Sequence, residues 1–340
     1  MKFTRNLNLS NQIIILDGLT GTGKTMFSPI INSFERVQNS RFEYMIEYLC
    51  ISSKKGKLEK DAASSLLNLL ADIKYYDGAI SREVNFRPTD LSSVFSNPKA
   101  FKYIKQLFLS DGEKADIRIK KDNPILFFVT HQILSTIETA INAFGERLKI
   151  VQMVRHPLYL VNHWESYIMM HGNNARDFTI WLDYNGESVP WFTEGWEELY
   201  LKSNSYDKSI FSICALMEYV YDYAILEKMA SSLMFIPFEK FVLNPNIYIE
   251  QLELFLNTKS TKSTNKFLKR QNVPRISIND GPQKNIYKRY GLKKNKKGIS
   301  HSEDYSNKLE SIKLKSSNDA FIRLQESCTT YEKIFGIWYK

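Results

Sequence analysis

Gly18, Gly23, Lys24 and Thr25 stand in G-x-x-x-x-G-K-[ST] spacing, directly after the apolar run Ile13 to Leu16 and before a stretch with helical periodicity. Glycines at these places let backbone N–H groups turn inward around phosphate oxygens. The start of the helix adds partial positive charge, and Lys24 supplies a mobile cation. The spacing therefore predicts a phosphate loop over Gly18 to Thr25, with Gly21, Thr22 and Gly23 inside it. The bland alternative is a glycine-rich turn that binds nothing, and the lysine in its strand context argues against that. Such a loop does not choose a chemistry. Thr25 would suit Mg²⁺ ligation in an ATP-dependent kinase or NTPase, which ordinarily needs an acid at the end of another strand. Only Glu239, just beyond Pro237, stands where such an acid could.

Two other apolar runs end in reactive types. Ile125 to Val129 leads into Thr130 and His131, and Leu148 to Val154 leads into Arg155. An imidazole at the carboxyl edge of a parallel sheet lies near the mouth of the loop and is suited to take a proton from an alcohol. A guanidinium matches the fork of a phosphate. Against these stand a helix-capping or core histidine and a structural ion pair. His156 and His171 read as surface or packing residues. Should His131 not be the base, Glu35, Glu43 and His163 are the next candidates.

The segments ILFFVTHQIL and LKIVQMVRHPLYLVNHWESY together resemble the sulfotransferase family, which carries a strand ending in Thr-His and a later strand ending in Arg-x-Pro. Here Thr130-His131 and, 24 residues after the histidine, Arg155-His156-Pro157 occupy those positions. LMFIPFEKFVLNPNIYIEQLELFL is similar to the family's strand-acid-helix region, so the resemblance runs from Ile13 to Asn257. It implies a PAPS-dependent transferase (PAPS is 3′-phosphoadenylyl sulfate), with His131 as base and Arg155 on the donor's 3′-phosphate. The family's first loop reads Lys-Ser-Gly-Thr-Thr and sets Gly21 at its lysine, so Lys24 supplies that charge from a neighbouring position. Where the family has a serine, this chain has His163, with Ser166 one helical turn further; either is a candidate for the same phosphate. GPQKN loosely matches a late element of the family and makes Arg275, Lys284 and Arg289 weaker phosphate candidates.

Strands alternating with amphipathic stretches predict the elements that hold these groups: an α/β, P-loop-type three-layer fold with a parallel sheet and helical insertions. A fourth strand is read over Leu233 to Ile236, and helices over Arg41 to Leu49, Asp61 to Tyr75 and Ser209 to Met229. Pro29 is expected to shorten or kink the helix after the loop. The expectation is one domain over 1–340, with helical insertions at about 35–124 and 167–230 and a basic C-terminal region at about 260–340. In that region, Thr258 to Asn285 reads as a polar, proline-broken connection.

Arg82 and Arg87 beside Asp90 and Ser92 read as a helix entry with solvated arginines, or else as an anion clamp. Trp164, Trp181, Trp191 and Trp196 cluster; core packing is the preferred reading and a sugar-stacking face the sharper one. The 46 Lys and Arg against 37 Asp and Glu give a net charge of +9, which favours anionic partners. The basic run KNIYKRYGLKKNKK explains no more than non-specific phosphate attraction, since no nucleic-acid recognition motif accompanies it. The three cysteines, Cys50, Cys214 and Cys328, form no C-x-x-C pair, so no disulfide framework or thiolate metal site is indicated. With no signal-like or membrane-length apolar run, the expected setting is cytoplasmic, without a transmembrane segment.

The reading is thus a transferase using PAPS, an acceptor hydroxyl that a glycan could carry, and no required metal. An ATP-dependent kinase or NTPase and a noncatalytic nucleotide-binding or nucleic-acid-binding protein are the rivals.

Overall fold

In the computed structural model, which describes residues 1–90, 92–172, 175, 177–226, 231–278, 281 and 300–337, the apolar runs form one sheet. Its strands are β1 (Ile13–Asp17), β2 (Arg41–Phe42), β3 (Leu126–Val129), β4 (Leu148–Val154) and β7 (Leu233–Pro237). All pair in parallel in the order β2-β3-β1-β4-β7. Every residue of β1 and β3 is buried, as expected of strands covered by helices on both faces. Helices from both sides contribute Phe27, Ile30, Leu67, Met217 and Leu324 to a continuous core. Register matters more than content here. Leu16 lies level with Val129 on one side and Val151 on the other, so Thr130 and Arg155 emerge on either side of the phosphate loop.

Three segments depart from the sequence expectation. Residues 35–124 are mostly helical, with helices Tyr44–Lys54, Lys60–Ala79, Ala100–Gln106 and Glu113–Asp122, but they also supply the edge strand β2. The helix expected from Arg41 starts instead at Tyr44, because Arg41 and Phe42 pair with Phe128 and Val129. Residues 167–230 contain, besides helices Glu197–Lys202 and Ser205–Ile225, a hairpin of β5 (Trp181–Tyr184) and β6 (Glu187–Pro190). Its turn is Asn185-Gly186, both residues with positive φ, as a tight hairpin requires.

The C-terminal region is the third. Lys262–Arg270 is a helix with a Thr261/Thr264 capping box, inside the stretch read as a connection. Helices His301–Lys313 and Asn318–Phe335 follow, and the latter buries Phe321, Leu324, Cys328 and Tyr331. Its Ser327 carbonyl accepts the Tyr221 hydroxyl at 2.8 Å. Residues 318–335 are thus built into the core. The basic run itself, with Lys284 and Arg289, lies outside the described residues.

Candidate active site

The glycine-rich loop, the candidate phosphate loop, is shaped by what crowds it. Gly18 has φ +143°, and a Cβ there would collide with the Met153 carbonyl. Gly23, at φ +102°, faces the Phe238 ring, which would stand 2.7 Å from an added Cβ. Thr22 gives both its hydroxyl, at 2.8 Å, and its backbone N–H, at 3.1 Å, to the Leu19 carbonyl, so it closes the turn and does not itself line the cavity. The helix that follows, Lys24–Asn32, is only nine residues long and contains Pro29, which removes one backbone hydrogen bond. The Lys24 ammonium folds back onto the Gly18 and Leu19 carbonyls. Burial lowers its pKa to about 8, against the pull of Asp17 and Glu47.

Beyond β3, Asp17 organises the turn that carries the histidine. Its Oδ1 accepts the Thr130 hydroxyl at 2.9 Å and the Ile133 N–H at 3.1 Å. His131 is held by Glu47, whose Oε1 accepts the His131 backbone N–H at 2.8 Å and lies 3.2 Å from Nδ1. Burial pushes the Glu47 carboxyl up, with His131 opposing. Two rings stand nearly parallel to the imidazole, Tyr44 at 5.7 Å and 11°, and Phe42 at 5.9 Å and 17°.

Gly21, Gly23, Lys24, Thr25, Glu47, His131 and His163 open on one cavity of about 660 Å³. Phe42, Tyr44, Tyr48, Tyr167, Phe178, Trp191 and Phe192 make one part of its wall aromatic, and Thr89, Asp90, Ser92, Gln132, Asp177 and Thr179 make another part polar. Such a space can hold a phosphorylated donor at the loop and an apolar or aromatic alcohol against the imidazole.

Arg155 lies behind the loop. Its Nη1 donates to the Gly21 carbonyl at 3.0 Å, and its guanidinium sits 4.6 Å from the centre of the Phe238 ring. Arg275, 120 residues later, approaches the same ring at 5.4 Å and the Met26 sulfur at 3.5 Å, in the first turn after the loop. His163 lines the cavity, and its pKa falls to about 4 through burial and the charges of Arg155 and Lys24, so at neutral pH it is an uncharged hydrogen-bonding group. Ser166 turns away, giving its hydroxyl to the Asn162 carbonyl at 3.1 Å.

The other sequence candidates separate. Glu239, the proposed metal-side acid, is spent on structure: Oε1 accepts the His156 N–H at 2.9 Å and Oε2 the Tyr331 hydroxyl at 2.8 Å. His156 is fully buried, 3.3 Å from Glu332, and His171 packs edge-on against Tyr167; both are packing residues. Glu35 is exposed, and Glu43 pairs with Lys74 at 3.7 Å. Asp90 and Ser92 reach the cavity rim, while Arg87 points to solvent. The cap there is Ser93, not Ser92. Trp164 is wholly buried and Trp196 packs on Tyr200 and Phe211, so of the four clustered tryptophans Trp191 is the one that lines the cavity.

Sequence reasoning missed Glu47, Asp17 and Phe238. Glu47 leaves a faint trace, as an acid within the apolar and aromatic stretch Tyr44 to Ile51.

No family model matches the chain, and no curated protein matches it in sequence. Among solved structures, it is similar to the sulfotransferase domain of the Synechococcus PCC 7002 olefin synthase, at 11% identity, covering 97% of this chain and 98% of that one with a TM-score of 0.45. The sulfotransferase domain from the curacin biosynthetic pathway aligns at 13% identity over 95% and 99% of the two chains, TM-score 0.46. The sulfotransferase STF9 from Mycobacterium avium aligns at 12% identity over 78% and 68%, TM-score 0.36.

Proposed function

We propose that the chain is a sulfotransferase, moving a sulfuryl group from PAPS to an acceptor hydroxyl with His131 as general base. One observation carries the reading: the base candidate and the phosphate loop, far apart in sequence, open on the same cavity. Lys24 and the loop amides would take the 5′-phosphosulfate, and Arg155 the 3′-phosphate, with Arg275 beside it on the Phe238 ring. His163 would add a neutral hydrogen bond near the same anion. The displacement is in line, so positioning and charge stabilisation supply most of the catalysis, and the scheme draws on no metal ion.

For the acceptor, a sugar-stacking surface has Trp191 in its favour, whereas the ring-lined wall around Tyr44 and Phe178 favours an aromatic or apolar alcohol. A cytoplasmic setting suits the three free, buried cysteines.

The deciding experiment is calorimetry with adenosine 3′,5′-bisphosphate against ATP plus Mg²⁺. Metal-independent binding of the bisphosphate, tighter than that of ATP, is the expected result. A preference for Mg²⁺-ATP would replace this reading with a kinase or NTPase. Binding without turnover of PAPS in the presence of 2-naphthol and a panel of sugars would favour a noncatalytic nucleotide-binding protein.

A further inference from the structure

One oxygen of Glu47 serves two donors of the same residue. Oε1 accepts the His131 backbone N–H at 2.8 Å and stands 3.2 Å from the ring Nδ1. The backbone bond pins that oxygen to the chain at His131, so it cannot drift while the ring stays put. A carboxylate oxygen only accepts, so the contact with Nδ1 is a hydrogen bond when the ring proton sits on Nδ1. In a neutral imidazole this leaves the lone pair on Nε2, the nitrogen directed away from Glu47.

The rest of the surroundings stack along the ring. Tyr44, three residues before Glu47 on the same helix, covers one face, and Phe42 lies nearly parallel at 5.9 Å. Flipping the imidazole about χ2 would break the Nδ1 contact without gaining an acceptor on this side. With its side chain 12% exposed, Glu47 is shielded enough for its charge to count. Asp17 fixes the turn from the other end through Thr130 and Ile133.

We propose that Glu47 is the positioning residue of a Glu–His pair, fixing Nε2 of His131 as the nitrogen that meets the acceptor hydroxyl. Its kinetic consequence rests on the transferase reading; its geometric claim does not. In the transfer step the acceptor O–H proton passes to Nε2, and the oxygen's electron pair forms the new S–O bond. The S–O bond to the 5′-phosphate breaks, its electron pair leaving on adenosine 3′,5′-bisphosphate. The imidazolium so formed keeps its other proton on Nδ1 facing Glu47, whose negative charge stabilises it.

The test has two arms. The first is ¹⁵N NMR of the histidine rings in the ligand-free protein, with the His131 signals assigned by their loss in His131→Gln. Expected are a neutral tautomer with the proton on Nδ1 in the wild type, its retention in Glu47→Gln, whose amide oxygen can replace Oε1, and its loss in Glu47→Leu. The four other histidines report whether each variant is folded. A wild-type proton on Nε2, or a tautomer that ignores Glu47→Leu in a folded protein, overturns the proposal.

The second arm is steady-state turnover of PAPS with 2-naphthol. Glu47→Leu should lower kcat about tenfold or more, with Glu47→Gln between it and the wild type, while KM for PAPS stays within about twofold. Wild-type kcat in folded Glu47→Leu overturns the kinetic role. A tautomer that follows Glu47 in a protein that transfers no sulfuryl group would sustain the pair and refute the transferase reading.

Discussion

The Arg155 guanidinium lies 4.6 Å from the centre of the Phe238 ring, and the same ring stands where a side chain on Gly23 would have to go. One aromatic residue thus backs both the phosphate loop and the arginine assigned to the donor's 3′-phosphate. Replacing it by Phe238→Leu keeps bulk against Gly23 and removes the π face. A cation–π contact is worth about 0.5–2 kcal/mol, so affinity for adenosine 3′,5′-bisphosphate should fall ~2- to 30-fold by calorimetry. Unchanged affinity would show the ring to be packing only.

Arg155→Ala should act selectively. Binding of a nucleotide carrying the 3′-phosphate is expected to weaken, while that of the analogue lacking it changes little, because the guanidinium is assigned to that group alone. Equal losses for both would make Arg155 a structural brace of the Gly21 carbonyl.

Lys24 carries a pH prediction. Burial lowers its pKa to about 8, so the ammonium is present below that pH and lost above it. Anion affinity should therefore decline as pH rises through about 8, and binding above that pH should take up a proton. Calorimetry in two buffers of different ionisation enthalpy reads the uptake. Lys24→Ala should bind weakly and show no such dependence; if it keeps the wild-type dependence, the titrating group is another.

His131→Ala should remove most transfer, by roughly a hundredfold or more, and leave nucleotide binding nearly intact, because the base acts on the acceptor proton. Single-turnover assays with calorimetry in parallel separate the two effects. A folded variant with near wild-type turnover would move attention to His163, which shares the cavity with His131.

Gly23→Ala tests the loop as a backbone device. The residue has φ +102° and meets the Phe238 ring, so the substitution should destabilise the fold by about 1–3 kcal/mol in denaturant titration and abolish nucleotide binding. Wild-type stability would mean the loop relaxes freely around the new methyl.

By itself the sequence determined what is local. The glycine-rich turn from Gly18 to Thr25 is legible because its glycines, lysine and preceding strand are contiguous. β1, β3, β4 and β7 are legible because strands buried on both faces must be almost wholly apolar. His131 and Arg155 are legible as residues at strand ends on a common edge of the sheet, although His131 opens on the cavity and Arg155 does not line it.

Tertiary structure decided the rest, through pairings between residues far apart in the chain. The Glu47–His131 contact joins positions 84 residues apart; it exists only because β2 pairs beside β3 and aims the next helix at the turn beyond it. Phe238 gathers Arg155 and Arg275 only because β7 lies beside β4. Glu239 looked like a free acid at a strand end, and the last helix claims it through Tyr331. Periodicity reports whether a residue is covered, but the partner of a buried charge is set by sheet order and register, which no short window of sequence contains.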